Sequence, residues 1–252
     1  MTGKMTGKPS IAERIGRSRR QRAAELAPAA ARRKPVRRAL GAKKAGKNAP
    51  YHHGALHDAL LAAAERVLER EGLAALTLRA VAREAGVSHA APTHHFGDLR
   101  GLVSELAAVG FRQFNAAMAQ AESEAGTAAE KMMVRAKSYV AYAQAHPGIY
   151  GLMFRTERLD MKRPALSEAA RESFAGLAGA IGAQRDEAIS ADALSLDQAA
   201  AIARAWSLVH GFTMLLLEGR LADILKRLPE GASAEKLLDA MLKSSAVRPQ
   251  GT

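Results

Sequence analysis

Histidine is unevenly placed in this chain: six of eight, His52, His53, His57, His89, His94 and His95, lie between Tyr51 and Arg100. His53 and His57 stand at i and i+4, which puts both imidazoles on one helical face at a spacing a metal ion could use. The simpler chemistry is imidazoles facing phosphates, with an ordinary pKa of about 6.5 that would raise affinity for nucleic acid as pH falls towards 6. Trp206 and His210 also share a face at i and i+4. One reading is a buried Trp beside a hydrogen-bonded His, with Gly211 admitting a neighbouring helix. The other is that Tyr139, Tyr142, Met153, Phe154, Phe174, Trp206 and His210 line an apolar cavity with a few polar handles. The two are compatible. No Gly-rich phosphate loop, nucleophile elbow, carboxylate pair or metal quartet is visible, so the sequence predicts no catalysis, no cofactor and no metal.

The elements that position these residues are helical. Thr77 is an N-cap for a short helix with Leu78, Val81, Ala82 and Ala85 at i, i+3, i+4 and i+7, and Gly86 stops it. Ser88 offers a second N-cap for a helix to about His95. Two short helices joined by a Gly-containing turn form a helix-turn-helix, whose second helix reads a DNA major groove. The bland alternative is a helical hairpin in a larger bundle. Upstream, Leu56, Leu60, Ala63, Val67 and Leu68 form an amphipathic stripe closed by Gly72, and Asp98 opens a long lever-like helix ending before Gly126.

The 252 residues are 48% apolar and poor in aromatics, which suits one or two all-α domains, and the absence of cysteine excludes disulfides and Cys-based zinc sites. No apolar run approaches the roughly 18 residues of a membrane span and no signal-peptide core follows the N-terminus, so a cytoplasmic, nucleoid-associated protein with no membrane partner is expected. The net charge of +12 is concentrated at one end. Residues 1–50 hold 15 Lys and Arg against Glu13 and Glu25, giving +13; the rest hold 22 basic and 23 acidic residues, giving −1. Residues 1–48 therefore read as a disordered basic arm that contacts the DNA backbone, against the alternatives of a solvated tail or a mis-assigned start. The head itself has 5 basic and 6 acidic side chains between Tyr51 and Arg100, so the arm would supply the salt-dependent affinity that the head lacks.

Further along, Thr127 and Glu130 form a capping box opening a helix through Ala143, and His146-Pro147-Gly148 ends it. Ile149 to Phe154 is a short apolar turn of helix before a charged loop, Arg155 to Arg163. Pro164 suits the first position of the next helix, and Ser195 with Gln198 caps the most apolar one, which runs to about Gly219. After a turn around Arg227 to Ser233 comes a last amphipathic helix, then a disordered end at 246–252.

The head resembles the DNA-binding domain of the tetracycline-repressor (TetR) family. The matching residues are Tyr51-His52-His53-Gly54, Gly72-Leu73, Thr77-Leu78-Arg79, Gly86-Val87-Ser88 and His95-Phe96. Trp206-x-x-x-His210-Gly211, with His146-Pro147 and Tyr150-x-x-Met153-Phe154, resembles that family's C-terminal domain of the Trp-His-Gly (WHG) type. Thr93 departs from the pattern, which usually has Tyr there. The resemblance implies an N-terminal three-helix helix-turn-helix domain at 49–98 and a helical effector-binding and dimerisation domain at 99–245. It implies a homodimer through helices 196–218 and 233–243. The expected activity is sequence-specific regulation of transcription, as repression of a palindromic operator relieved by an unidentified apolar or amphipathic small molecule. Tyr51, Thr77, Arg79, Thr93 and His95 would contact the backbone; Ser88, His89 and His94 base edges; Ala90 and Ala91 thymine methyls. The competing readings are a low-specificity nucleoid-type binder acting through the arm, and a ligand-sensing interaction protein with a weakened head.

Overall fold

The structure, a computed structural model, describes residues 53–245. The expected basic arm (1–48) and tail (246–252), together with Tyr51, lie outside the described residues. Ten α-helices form among the described residues: α1 (His53–Glu71), α2 (Leu78–Ala85), α3 (Ala90–Phe96), α4 (Leu99–Ser123), α5 (Ala128–Ala145), α6 (Pro147–Met153), α7 (Pro164–Arg185), α8 (Leu196–Leu217), α9 (Ala222–Leu225) and α10 (Ala234–Ser245). No strand forms among these residues beyond one isolated bridge, Ser190 to Ala193.

Side-chain caps set several helix starts. Thr77 accepts from the Ala80 amide at 3.1 Å, and Asp98 from the Gly101 amide at 2.7 Å. The capping boxes at Thr127/Glu130 and Ser195/Gln198 are both complete. Two expectations need correction. The segment between Gly219 and the turn at Arg227 to Ser233, for which the sequence predicts no element, forms the short helix α9. The helix at Leu196–Leu217 averages a hydropathy of 1.4 over 18 residues, long and apolar enough to cross a membrane, which the interruptions at Arg204 and His210 conceal when only unbroken apolar runs are counted. Just 22% of that window is buried within the chain, so much of its apolar surface faces outwards.

One core is continuous from the head into the lever. Leu60, Leu68, Val81 and Phe96 join Leu102, Leu106, Phe114 and Met118 of α4, and Ile149, Tyr150 and Met153 of α6. Gly110 permits the α4–α6 approach: a Cβ there would lie 2.9 Å from Ile149 Cγ1 and 3.0 Å from Met153 Sδ. A second cluster joins α5, α8 and α10 through Val140, Phe212 and Leu238. A third joins α7 and α8 through Ile181 and Ile202.

Candidate DNA interface and apolar cavity

The α2–α3 corner is built by backbone hydrogen bonding. Gly86 ends α2 in the left-handed region at φ 69° and ψ 30°, and the Val87 amide donates to the Ala82 carbonyl at 3.0 Å. Ala82 is fully buried, as close helix contact requires. Helix α3 starts one residue later than Ser88 would set it. Ser88 Oγ accepts from the Ala90 amide at 3.3 Å, while His89 holds the cap position without a side-chain bond. Pro92 and Phe96 are buried and root α3 in the core; Pro92 is the third helical residue, where its missing N–H costs no intrahelical bond.

The opposite face is open. Ser88, His89, Ala90, Thr93 and His94 are exposed, with Thr77 and Arg79 exposed on α2. Ala91 and His95 are half-buried, and the His95 ring lies 6.0 Å from that of His57. The head is braced by Glu84, which accepts from Arg66 Nε and Arg70 Nη2, both at 2.9 Å, so the two guanidiniums hold its carboxyl below the usual range. No group of three or more His, Asp and Glu suited to a metal ion occurs among the described residues.

The second feature is a cavity of about 890 Å³ between α4, α5, α6, α7, α8 and the end of α10. Tyr139, Met153, Phe154, Phe174 and Trp206 line it. Tyr142 and His210 are not among the lining side chains. Tyr142 is buried against α4, donating to the Gly110 carbonyl at 3.1 Å. His210 sits behind the wall, its Nδ1 2.9 Å from the Tyr139 hydroxyl and 3.0 Å from that of Tyr150, while Tyr150 donates to Tyr139 at 3.1 Å. With Tyr139 donating to Nδ1, the imidazole proton belongs on Nε2. Burial holds His210 below its ordinary pKa, favouring the neutral ring. Burial likewise pushes the Tyr139 phenol up to about 12, and Tyr150 well above its usual value. Trp206 is 43% exposed rather than buried. Sequence reasoning did not single out Phe111, Phe114 or Met132 as lining residues, nor any cation on the wall.

Cavity and head are joined by two sets of contacts. Glu69 at the end of α1 caps α6, accepting from the Gly148 amide at 3.0 Å and the Ile149 amide at 2.8 Å. The loop between α6 and α7 turns Thr156 and Met161 to the cavity and its polar groups to the α3–α4 corner. There Arg163 Nη2 donates to the Phe96 carbonyl at 2.8 Å and pairs with Glu105 at 3.2 Å. Arg100 donates to the Leu159 carbonyl at 2.7 Å, and the Asp160 amide to buried Ser104 at 2.8 Å.

A three-helix head with an open second turn-helix, carried on a long helix into a hollow helical domain, defines the class of helix-turn-helix transcription regulators. Residues 60–106 match the family model "Bacterial regulatory proteins, tetR family", and residues 132–241 match "Tetracyclin repressor-like, C-terminal domain". The chain belongs to the tetR family, whose members are DNA-binding transcriptional regulators and not enzymes. A solved protein of unknown function from Rhodococcus sp. RHA1 is 33% identical, with 78% of this chain and 96% of that one covered at a TM-score of 0.62. A tetR-family regulatory protein from Rhodococcus RHA1 is 16% identical, with 75% and 94% covered at 0.53. The transcriptional regulator FadR from Bacillus subtilis, in complex with stearoyl-CoA, is 18% identical, with 74% and 96% covered at 0.55. The last two likenesses show the fold alone. A comparison with curated proteins gave no match.

Proposed function

We propose that this regulator works as a homodimer whose two α3 helices enter successive major grooves of a palindromic operator, and that a small molecule in the cavity releases it. The observation that carries this reading is the α3 surface: Pro92 and Phe96 anchor the helix while Ser88, His89, Ala90, Thr93 and His94 stay open to solvent. On this reading Ser88, His89 and His94 contact base edges, Ala90 and Ala91 meet thymine methyls, and Thr77, Arg79, Thr93, His95 and Tyr51 hold the backbone. The outer face of α8 supports the dimer. Leu196 is 88% and Leu215 43% exposed, Ala200, Ala203 and Ser207 are open between them, and a Cβ at Gly211 would meet nothing within 4 Å in the single chain. The domains at 49–98 and 99–245 then divide reading from sensing, and the protein acts in the cytoplasm on the nucleoid.

Ligand in the cavity acts on the operator only if it binds the two head arrangements with different affinity. The Glu69 cap and the Arg163 contact to Phe96 supply the physical connection. The test combines sedimentation with a competition titration on genomic fragments selected by the full chain. A dimer that prefers its selected fragment over random duplex supports the reading, and Gly211→Ala weakens that dimer without unfolding the chain. A strict monomer, or equal affinity for random DNA, refutes it.

A further inference from the structure

The charged residues of the cavity wall are of one sign. Arg135, Arg185, Arg204 and Lys243 line it, and no Asp or Glu does. Two of the four are already matched by acids set back from the wall: Arg135 by Glu122, and Arg185 by Glu187 and Asp197. Arg204 and Lys243 have no ion pair or hydrogen bond among the described residues. The Arg185–Asp197 pair places Arg185 where α7 and α8 meet, and Arg204 lies two turns into α8 from Asp197. From Ala170 to Arg185 the lining follows α7 for about 22 Å at 1.5 Å per residue. Its far end, at Met153, Phe154, Met161 and Ala170, carries no charge. The cavity is therefore long, with an uncharged stretch around Met153, Phe154, Met161 and Ala170 and a wall whose charged groups are all cationic.

We propose that its occupant is an elongated apolar molecule ending in an anion, with the body along Phe154, Phe174 and Trp206 and the anionic head held by Arg204 and Lys243. A cationic ligand would find aromatic faces but also uncompensated like charge and no carboxylate to offset it. A neutral ligand would leave both cations without a role. The inference rests on the cavity being the ligand site, and the experiment separates the two ideas.

Four probes with one hexadecyl chain are titrated into the full chain below their micellar concentrations: palmitate, hexadecyl phosphate, methyl palmitate and hexadecyltrimethylammonium. Trp206 lines the cavity and is the only tryptophan, so its emission reports filling directly. Palmitate and hexadecyl phosphate should bind about fivefold or more tightly than methyl palmitate, the ammonium weakest, with the preference declining in salt. Arg204 is exposed and unpartnered, so Arg204→Gln leaves the fold intact by circular dichroism, and it should level the anions with the ester while Arg204→Lys keeps much of the difference. Tighter binding of either anion shows which head the site takes. If all four probes bind alike, if the ammonium binds best, or if Arg204→Gln changes nothing, the anion reading is overturned. If no probe binds, the apolar site itself is refuted for long chains, and this inference with it.

Discussion

Replacing Gly101 with alanine would put a methyl carbon 2.0 Å from the Phe96 carbonyl oxygen and 2.4 Å from Arg163 Nη2. Neither is a distance a real methyl tolerates, so something at the α3–α4 corner must move. The guanidinium can withdraw, but only by releasing the 2.8 Å bond to Phe96 and its pair with Glu105. A hydrogen bond to a charged group is worth about 1.5–3 kcal/mol, and forcing a methyl into a packed site costs a further ~1–3 kcal/mol. Alanine returns roughly 1 kcal/mol of helix propensity. The net loss is about 1.5–5 kcal/mol, which at ~2–4 °C per kcal/mol for a domain of this size lowers Tm by at least about 3 °C. Gly179→Ala, on α7 with nothing within 4 Å of the new methyl, is the control and should stabilise slightly. Thermal unfolding of both variants, with hydrogen exchange at the Gly97 amide that donates to Thr93 at 2.9 Å, reads out the corner. If Gly101→Ala matches the control in Tm and in exchange at Gly97, the close approach of α4 to the end of α3 is wrong.

Glu69→Ala removes both bonds from the α6 cap, so it should cost about 1 kcal/mol and speed exchange at the Gly148 and Ile149 amides; unchanged exchange would contradict the cap. His210 has a folded pKa below its unfolded value of about 6.5, so the unfolded chain binds the extra proton in the window between them. Its contribution to stability is therefore complete above about pH 6.5 and lost as pH falls through the depressed folded value. Urea unfolding at pH 7.5 and 5.5 should show a smaller acid loss in His210→Gln than in the parent, and identical losses would rule out a buried neutral imidazole. Deleting residues 1–48 removes 13 net positive charges, 15 basic less 2 acidic, and should flatten the dependence of log affinity on log salt. An unchanged slope would leave that arm without a role in DNA affinity.

What could be read from the sequence was what local chemistry determines. Thr77, Gly86, Asp98 and the two capping boxes act within a turn of their own residues, and each is found at its expected end. Apolar spacing identified the α4 and α8 stripes for the same reason. Contacts across long separations left no local signal. Glu69 meets Gly148 over 79 residues and Arg163 meets Phe96 over 67, so both read only as surface charges. Helical periodicity names a face but not its partner: Tyr142 faces α4 rather than the cavity, whereas Trp206 lines the cavity and still stays 43% exposed. The cations on the cavity wall were invisible because Arg135, Arg185, Arg204 and Lys243 come from four separate helices or helix ends.

If the exposed surface of α3 reads bases as one half of a symmetric pair, footprinting the full chain on a genomic fragment it selects, with His89→Ala and His94→Ala variants alongside, reveals it. Two protected major-groove segments about 34–36 Å apart, related by a two-fold axis, are expected, with altered base preference within each when either histidine is lost. A single unpaired footprint, or variants that select the same sequence as the parent, would contradict it.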